Sequence, residues 1–396
     1  MASTITANTR QRALSTGTLR AAGRPRAAWD YRLIGAVLAL AGLGLVMVHS
    51  ASVDLATRAH GTSVYYLLRH AAYLALGAAL VALVVRTRVR WWERAGPALL
   101  LAGLVLLLLV LIPGLGLHVN GSSRWLRLGA FTMQPSELMK LFVVVYVAGY
   151  LVRKQEELRH FTQGILMIGI VVAAIGVLLL QEPDMGSLVV ICATVLGMLF
   201  LGGIRFWHFL IVVGAGAGGM AALTLIAPYR MSRVASFLDP WADPFDSGFQ
   251  LVQALIAFGR GEWFGVGLGA SVQKLAYLPA AHTDFLIAVI AEELGLFAVL
   301  AVIALYGLVL ARAFAIARHA EAAGQLYGAR LAQGLGLLLV LQAMINLGVN
   351  MGLLPTKGLT LPLVSYGGSS IIACSIAVGL LLLIDRESRG FVWGRP

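Results

Sequence analysis

Charge is scarce in this chain. Only 12% of its 396 residues are Asp, Glu, Lys or Arg, while 59% are hydrophobic; soluble proteins carry about twice that charged fraction. Cysteine is almost absent. Cys192 and Cys374 both fall inside apolar runs, where the residue acts as a small hydrophobe, so a disulfide framework and a Cys/His metal site find no support. Alternating segments of about ten residues, the mark of a transmembrane barrel, are missing. So are a phosphate loop, zinc-ligand spacing and a nucleophile elbow. Gly265-Val266-Gly267-Leu268-Gly269 imitates a dinucleotide loop but lacks the strand-and-helix setting such a loop needs. The first apolar run is too long, and its basic leader too extended, for a cleavable signal peptide. No internal repeat is visible, which argues against inverted-repeat transporter designs.

What is present is hydrophobic length. Runs of about 17–25 apolar residues, each enough to cross a hydrocarbon core about 30 Å thick, recur along nearly the whole chain. The expectation is an all-α polytopic membrane protein, one bundle of about ten transmembrane helices near residues 33–52, 66–85, 97–112, 135–152, 163–180, 187–202, 209–226, 284–311, 332–353 and 371–384. Residues 1–31 read as a disordered basic cytoplasmic tail, 32–385 as the membrane domain and 386–396 as a C-terminal cytoplasmic tail. About two-thirds of the 30 Lys and Arg fall on the side of the termini, the bias that marks cytoplasmic loops. The net charge of +12 is thus a topology signal, not a nucleic-acid signature. One long connection, 227–283, lies on the outer side between spans seven and eight. In it Ser247 and Gln250 have capping-box spacing ahead of a short apolar helix through Phe249, Val252, Leu255, Ile256 and Phe258.

Polar residues on the outer side fall into clusters. His282 and Asp284 open an apolar helix that carries Glu292 and Glu293 about two turns deeper; an acid at membrane depth costs about 2.5–3.5 kcal/mol, which makes it a functional candidate. Steps of four along a helix bring Ala288 and Glu292 to one face, so Asp284 and Glu292 are expected to line one cavity, with Glu293 turned away. His282 alone is more often a structural hydrogen-bonder than a catalyst. Glu137 and Lys140, spaced i, i+3, share a face as a self-neutralising pair or a substrate contact. Glu182 and Asp184 sit in a tight turn. Arg230 and Arg233 in the long connection suit phosphate or carboxylate. The Gly- and hydroxyl-rich run from Lys357 to Ser370, which includes Ser365, abuts the last span; irregular backbone at that depth must be packed in protein or line a wet cavity. The residues alone give an outward-facing cavity of both signs. An enzyme acting on a membrane-borne anion, a transporter and a scaffold all fit it.

Six pieces in order then carry a resemblance: Asn120 to Trp125, Gln134 to Glu137, Glu182 to Ser187, Ala280 to Phe285, Glu292 to Gly295, and Thr356 to Ser370. Together they resemble the SEDS family (shape, elongation, division and sporulation), and the Lys357–Ser370 run favours its cell-division branch. The resemblance implies an inverting peptidoglycan glycosyltransferase of the inner membrane at the septum. It would polymerise lipid II with undecaprenyl diphosphate leaving, beside a class B penicillin-binding transpeptidase and other divisome proteins. Asp284 matches the family's catalytic aspartate. Arg124, Glu137, Lys140 and Asp184 match positions lining the substrate cavity. Arg230, Arg233, His282, Glu292, Lys357 and Ser365 complete the expected binding set, with Arg124, Lys140, Arg230, Arg233 and Lys357 as candidates for the leaving diphosphate. The resemblance names no certain cofactor, and Asp184 with Glu137 or Glu182 could hold a divalent cation. Ala280-Ala281 stands where the family often has a glutamate, so a second carboxylate just upstream of His282 is missing. A lipid II flippase and a non-catalytic divisome scaffold are the rival readings; a flippase should also need polar groups deep in the membrane or on the inner face, and Asn346 and Asn350 are the clearest of the few present.

Overall fold

The computed structural model describes residues 29–119, 122–129, 131–226, 228–246, 248–275, 278–356 and 358–392. Most of the expected tail (residues 1–28), Asn120-Gly121, Ser247 of the capping box, Lys357 and the last four residues lie outside them. The chain is mostly helical. In order it forms α1 (Tyr31–His60), α2 (Tyr65–Val85), α3 (Val89–Leu111), strands β1 (Gly116–Val119), β2 (Ser122–Leu128) and β3 (Phe131–Met133), then α4 (Pro135–Arg153), α5 (Leu166–Gln181), α6 (Met185–Leu201), α7 (Phe206–Ile226), α8 (Pro228–Leu238), α9 (Phe249–Gly261), α10 (Leu286–Ala322), α11 (Leu326–Asn350) and α12 (Gly368–Val392).

Among the described residues, eight helical stretches are long and apolar enough to cross a membrane, which makes this a multi-pass membrane protein; α6 and the apolar part of α7, at the sixth and seventh expected spans, are shorter. A helix apolar all round must face lipid or the inside of a bundle. Both occur here: α4, α11 and α12 are buried over most of their length, while α1 to α3 and α5 are mainly outward-facing.

Several boundaries differ from the sequence reading. α3 starts at Val89, not near 97, because Pro97 is accommodated inside the helix; neighbouring helices in a membrane bundle tolerate such a break in the ladder. α9 is capped by Gly248 with no side-chain bond, so the cap falls one residue past the expected capping-box serine. α12 runs on to Val392, through residues assigned to a tail. The connection between α3 and α4 holds a small antiparallel sheet in the order β1-β2-β3, which the sequence reading missed because its strands are three to seven residues long.

The largest difference lies in α10. Gly295 sits at φ 77, ψ −174, which breaks the helix into 286–294 and 296–322. In an unbroken helix the amides of Leu296 and Phe297 would donate to the carbonyls of Glu292 and Glu293. Here Leu296 N and Phe297 N instead donate to Glu262 O (2.9 Å) and Trp263 O (3.3 Å), and the two carbonyls accept from Val266 N (2.9 Å) and Gly267 N (3.0 Å). A loop thus inserts into the broken ladder and satisfies all four groups. The approach is so close that a Cβ on Gly265, itself at φ +79, would lie 2.2 Å from Glu293 O. The glycine pattern that resembled a dinucleotide loop is this wedge.

Candidate functional site

The short half-helix 286–294 presents Asp284 just before its N-terminal end, and that end opens on a cavity of about 500 Å³. Six further segments complete the walls. The sheet holds Arg124 on β2, the α5–α6 turn brings Pro183, Asp184 and Gly186, α7 brings Met220 and Thr224, α8 and α9 contribute Arg233 and Gln250, and the α11–α12 connection supplies Pro355, Thr356 and Gly358. The lining carries both signs, as expected.

Each polar wall residue is held by its neighbours. Arg124 donates through Nε to Glu182 O (3.0 Å) and through Nη2 to Pro183 O, fixing the guanidinium against the turn. Asp184 caps α6: Oδ1 accepts from Ser187 N at 3.1 Å, and Oδ2 from Ser136 Oγ at 2.7 Å, Ser187 Oγ at 2.8 Å and Gln134 Nε2 at 3.2 Å. Arg233 Nη1 donates to Thr356 O at 3.1 Å. Asp284 is anchored by its backbone: Asn346 Nδ2 (2.8 Å) and Asn350 Nδ2 (3.1 Å) both donate to its carbonyl. Its carboxylate receives no hydrogen bond from a described residue and faces the cavity, close enough that a Cβ on Gly358 would lie 3.0 Å from Oδ2. Burial pushes this carboxyl up to about 7, with the Arg124 charge opposing and Glu137 and Asp184 adding to the rise.

Beneath the cavity lies a second tier. Lys140 Nζ is buried and donates to Glu137 Oε1 at 2.8 Å and Gln342 Oε1 at 2.7 Å, and Gln342 Nε2 donates to Thr360 O at 3.0 Å. Both charges are therefore spent inside the protein, and neither residue lines the cavity. Glu182 is fully buried, and both its oxygens are without a partner among the described residues. Burial pushes it up to about 8, Asp184 adds to this and Arg124 opposes it.

Three expected binding residues lie elsewhere. His282 packs between Tyr66 and Tyr366, with ring centroids 4.9 and 5.7 Å away, and burial lowers it to about 4, so it is neutral at pH 7. Ser365 closes a turn: Leu361 N donates to its Oγ at 3.1 Å and its own N donates to Leu361 O. Glu292 does not share the cavity with Asp284, contrary to the helical spacing. Its carboxylate is enclosed by the wedge loop, accepting from Arg260 Nη1 (3.0 Å), Val272 N (3.0 Å), Gln273 N (3.3 Å) and Ser271 Oγ. Asp284 precedes the first helical residue, Leu286, so stepping by fours from it does not describe the real geometry. Glu293 turns away, as expected, to Lys274 Nζ (2.7 Å) and Ser50 Oγ (2.8 Å). Arg230 lies on α8, one helical turn before Arg233.

The sequence reading quoted Gln134 and Ser136 only as part of a motif and missed Gln342, a single polar residue in the middle of an apolar helix; all three orient the charged residues. No group of three or more His, Cys, Asp or Glu among the described residues could hold a metal ion. Asp184 has both oxygens committed to protein donors and Glu137 is paired with Lys140, so the suggested Asp184–Glu137 cation pair does not fit this arrangement.

Residues 31–390 match the family of cell cycle proteins named for FtsW, RodA and SpoVE. The "probable peptidoglycan glycosyltransferase FtsW" of Nitrosococcus halophilus is 59% identical over 360 residues, covering 91% of this chain and 93% of that protein. Its counterpart in Thioalkalivibrio sulfidiphilus is 55% identical over 359 residues, covering 91% and 90%. A chain from the solved structure described as "Structural coordination of polymerization and crosslinking by a peptidoglycan synthase complex" superposes with a TM-score of 0.76 at 32% identity, covering 91% of this chain and 98% of that one. The rod shape determining protein RodA of Thermus thermophilus gives 0.65 at 30% identity, covering 91% and 97%.

Proposed function

The chain belongs to the FtsW, RodA and SpoVE family of cell cycle proteins, and from that premise we propose that it is a peptidoglycan glycosyltransferase that polymerises lipid II for septal wall synthesis. In this reading ten helices cross the inner membrane, both termini are cytoplasmic, and the cavity opens to the periplasm beneath the 227–283 connection. A class B penicillin-binding transpeptidase works beside it, in keeping with the polymerisation-and-crosslinking complex that its fold matches.

The observation that carries the proposal is the Asp284 carboxylate. It is held by its own backbone, unpartnered at its oxygens among the described residues, and exposed to a cavity that also holds two arginines. Asp284 takes the proton from the acceptor sugar's 4-hydroxyl, whose oxygen attacks the donor's anomeric carbon from the face opposite the diphosphate. The α linkage becomes β and undecaprenyl diphosphate leaves. A base poised near neutrality suits this step, and such help is worth about 10²–10⁴-fold. Arg124 and Arg233, with Arg230 nearby on α8, stabilise the negative charge developing on the leaving diphosphate. Lys140 acts at one remove, fixing Glu137 and Gln342 under the cavity floor.

The test is glycan-strand synthesis from labelled lipid II by purified protein with its transpeptidase. Strands are expected. Their absence from a folded complex given substrate that another polymerase consumes would move the assignment to flipping or scaffolding.

A further inference from the structure

At the end of the molecule remote from the cavity, three arginines converge on one depression. Arg90, Glu93, Arg94 and Pro97 recur at steps of three and four, so they share a face of α3. Arg153, the last residue of α4, closes the depression to a volume of about 500 Å³. The sheet that carries Arg124 follows the other end of α3, so about 30 Å of helix separates the depression from the cavity. That is the thickness of a hydrocarbon core, and the two sites lie at opposite membrane interfaces.

Basic residues are expected at this interface on topological grounds, and several are spent inside the protein. Arg312 pairs with Asp30 at 2.7 Å, Arg389 with Asp385 at 2.8 Å and Lys154 with Glu157 at 2.6 Å, and Arg330 donates to Leu201 O and Gln333 Oε1. The guanidiniums of Arg90, Arg94 and Arg153 have no hydrogen bond or ion pair to a described residue, and Glu93, the one acid among them, forms no ion pair either. Two details show that the depression is built. Arg153 folds back over Gly149, one turn earlier, where a Cβ would lie 2.8 Å from its Nη1 and 3.7 Å from Tyr327 Cε2. The Tyr327 hydroxyl is buried without a partner among the described residues, although the charges of Glu93 and Arg153 both reach it. A buried hydroxyl left unpaired asks for an explanation, and an acceptor seated against Arg153 supplies one.

Three forked donors call for an anion with several oxygens, and phosphate is the one they match. The rest of the helix face selects its source. Beside Arg90, Trp91 is 57% exposed, as aromatic residues are at headgroup level. Beyond Pro97 the same stripe of α3 continues through Leu101, Val105 and Leu108, all exposed. A phosphate held by the arginines thus has an open apolar stripe running from it into the membrane. That is the order of groups in a phospholipid, headgroup first and chains after; a soluble anion or an acidic peptide would leave the stripe bare.

We infer that this depression binds the headgroup of an anionic phospholipid in the leaflet remote from the cavity, with its phosphate on Arg90, Arg94 and Arg153 and its acyl chains along the stripe from Pro97 to Leu108. The site is separate from the glycosyltransferase reading and touches none of the reacting groups. Its lipid ties the end of α3 to the end of α4 and so stabilises the bundle.

The experiment takes the full-length chain, stripped of lipid in detergent, and titrates it with phosphatidylglycerol, phosphatidylcholine or inorganic phosphate. Bound lipid is read by native mass spectrometry and stability by the melting temperature. Phosphatidylglycerol is expected to bind and to raise the melting temperature, and phosphatidylcholine to do neither. Arg90→Gln, Arg94→Gln and Arg153→Gln should each weaken phosphatidylglycerol about fivefold, the worth of one basic residue at an anionic membrane surface. Arg205→Gln, which removes an exposed arginine from the α6–α7 turn at the same interface, should leave the affinity unchanged. Equal binding of the two lipids overturns the inference, and so does an equal loss in Arg205→Gln, which would mean diffuse attraction and no site. A rise in melting temperature with inorganic phosphate as large as with phosphatidylglycerol assigns the arginines to a soluble anion and overturns the lipid. Should a glutamine variant not fold, the wild type is irradiated with phosphatidylglycerol bearing a diazirine beside its phosphate. Label on Val89–Pro97 or Arg153 supports the assignment; label confined to other parts of the chain overturns it.

Discussion

One nine-residue half-helix, 286–294, carries acids at both ends, and the two ends have opposite characters. Ahead of its first residue, the Asp284 carboxylate has no hydrogen-bond donor among the described residues and looks into an open cavity. At its last turn, Glu292 and Glu293 are wholly buried and accept bonds from Arg260, Ser271, Val272 and Gln273 on one side and from Lys274 and Ser50 on the other. A buried carboxylate is tolerable only when paired and hydrogen-bonded. The satisfied pair is therefore architecture, clamping the 260–274 loop into the break at Gly295 and tying it to α1. The unsatisfied acid keeps its lone pairs for a ligand. Family motifs contain both kinds, and only the geometry separates them.

The largest effect that tests this contrast is at the open end. Asp284→Asn is nearly isosteric and removes no hydrogen bond that a described residue makes to the carboxylate, so the melting temperature should stay within error while polymerisation falls by about 10²–10⁴-fold. Full activity in that variant would end the role of Asp284 as base. At the closed end the pattern should invert. Glu292→Ala strands buried donors of the wedge loop, and breaking such a network costs about 3–5 kcal/mol. A pronounced fall in thermal stability is expected, with turnover per folded molecule far less affected than in Asp284→Asn. A stable Glu292→Ala protein with abolished chemistry would return Glu292 to the substrate site.

The pH profile separates the two ends a second time. Burial raises the Asp284 carboxyl to about 7, and a base works only when ionised, so kcat/KM should be flat above pH 7 and fall about tenfold per unit below it. An aspartate in water would place that limb near pH 4. The limb should survive in Glu292→Gln. A limb near pH 4 in the wild type would mean that the reacting base is not the raised carboxyl.

The contrast also marks where sequence reasoning stops. The apolar runs show the bundle because membrane helices need length and hydrophobicity, both local properties. The site's ingredients were legible in part: Asp184 and Asp284 are acids beside the ends of apolar runs, Arg233 stands in the long connection, Arg124 was marked by the family resemblance, and the fold brings all four to one cavity. The break in α10 was not legible, since hydrophobicity continues unchanged across Gly295 and the groups that replace its lost hydrogen bonds lie about thirty residues upstream, in a loop whose glycines suggested something else. For the same reason Glu292 was placed in the cavity. Its partners at 260 and 271–273 are distant in sequence, and helical spacing says nothing about them.

The smallest expected effect probes how the closed end is built. Arg260 makes the ion pair with Glu292, but its side chain is 42% exposed while the glutamate is not exposed at all. A pair with one partner that wet is worth about 0–1 kcal/mol. If Glu292 is held mainly by the amides of Val272 and Gln273 and the Ser271 hydroxyl, Arg260→Ala should lower the melting temperature only slightly and leave polymerisation unchanged, because the loop amides still satisfy the carboxylate and the wedge stays in place. If instead the Arg260 charge is what makes burial of Glu292 tolerable, removing it leaves an uncompensated anion in an apolar bundle, and the loss should approach that of Glu292→Ala. Thermal melts of the two variants measured side by side decide between a clamp built from backbone amides and one built from charge.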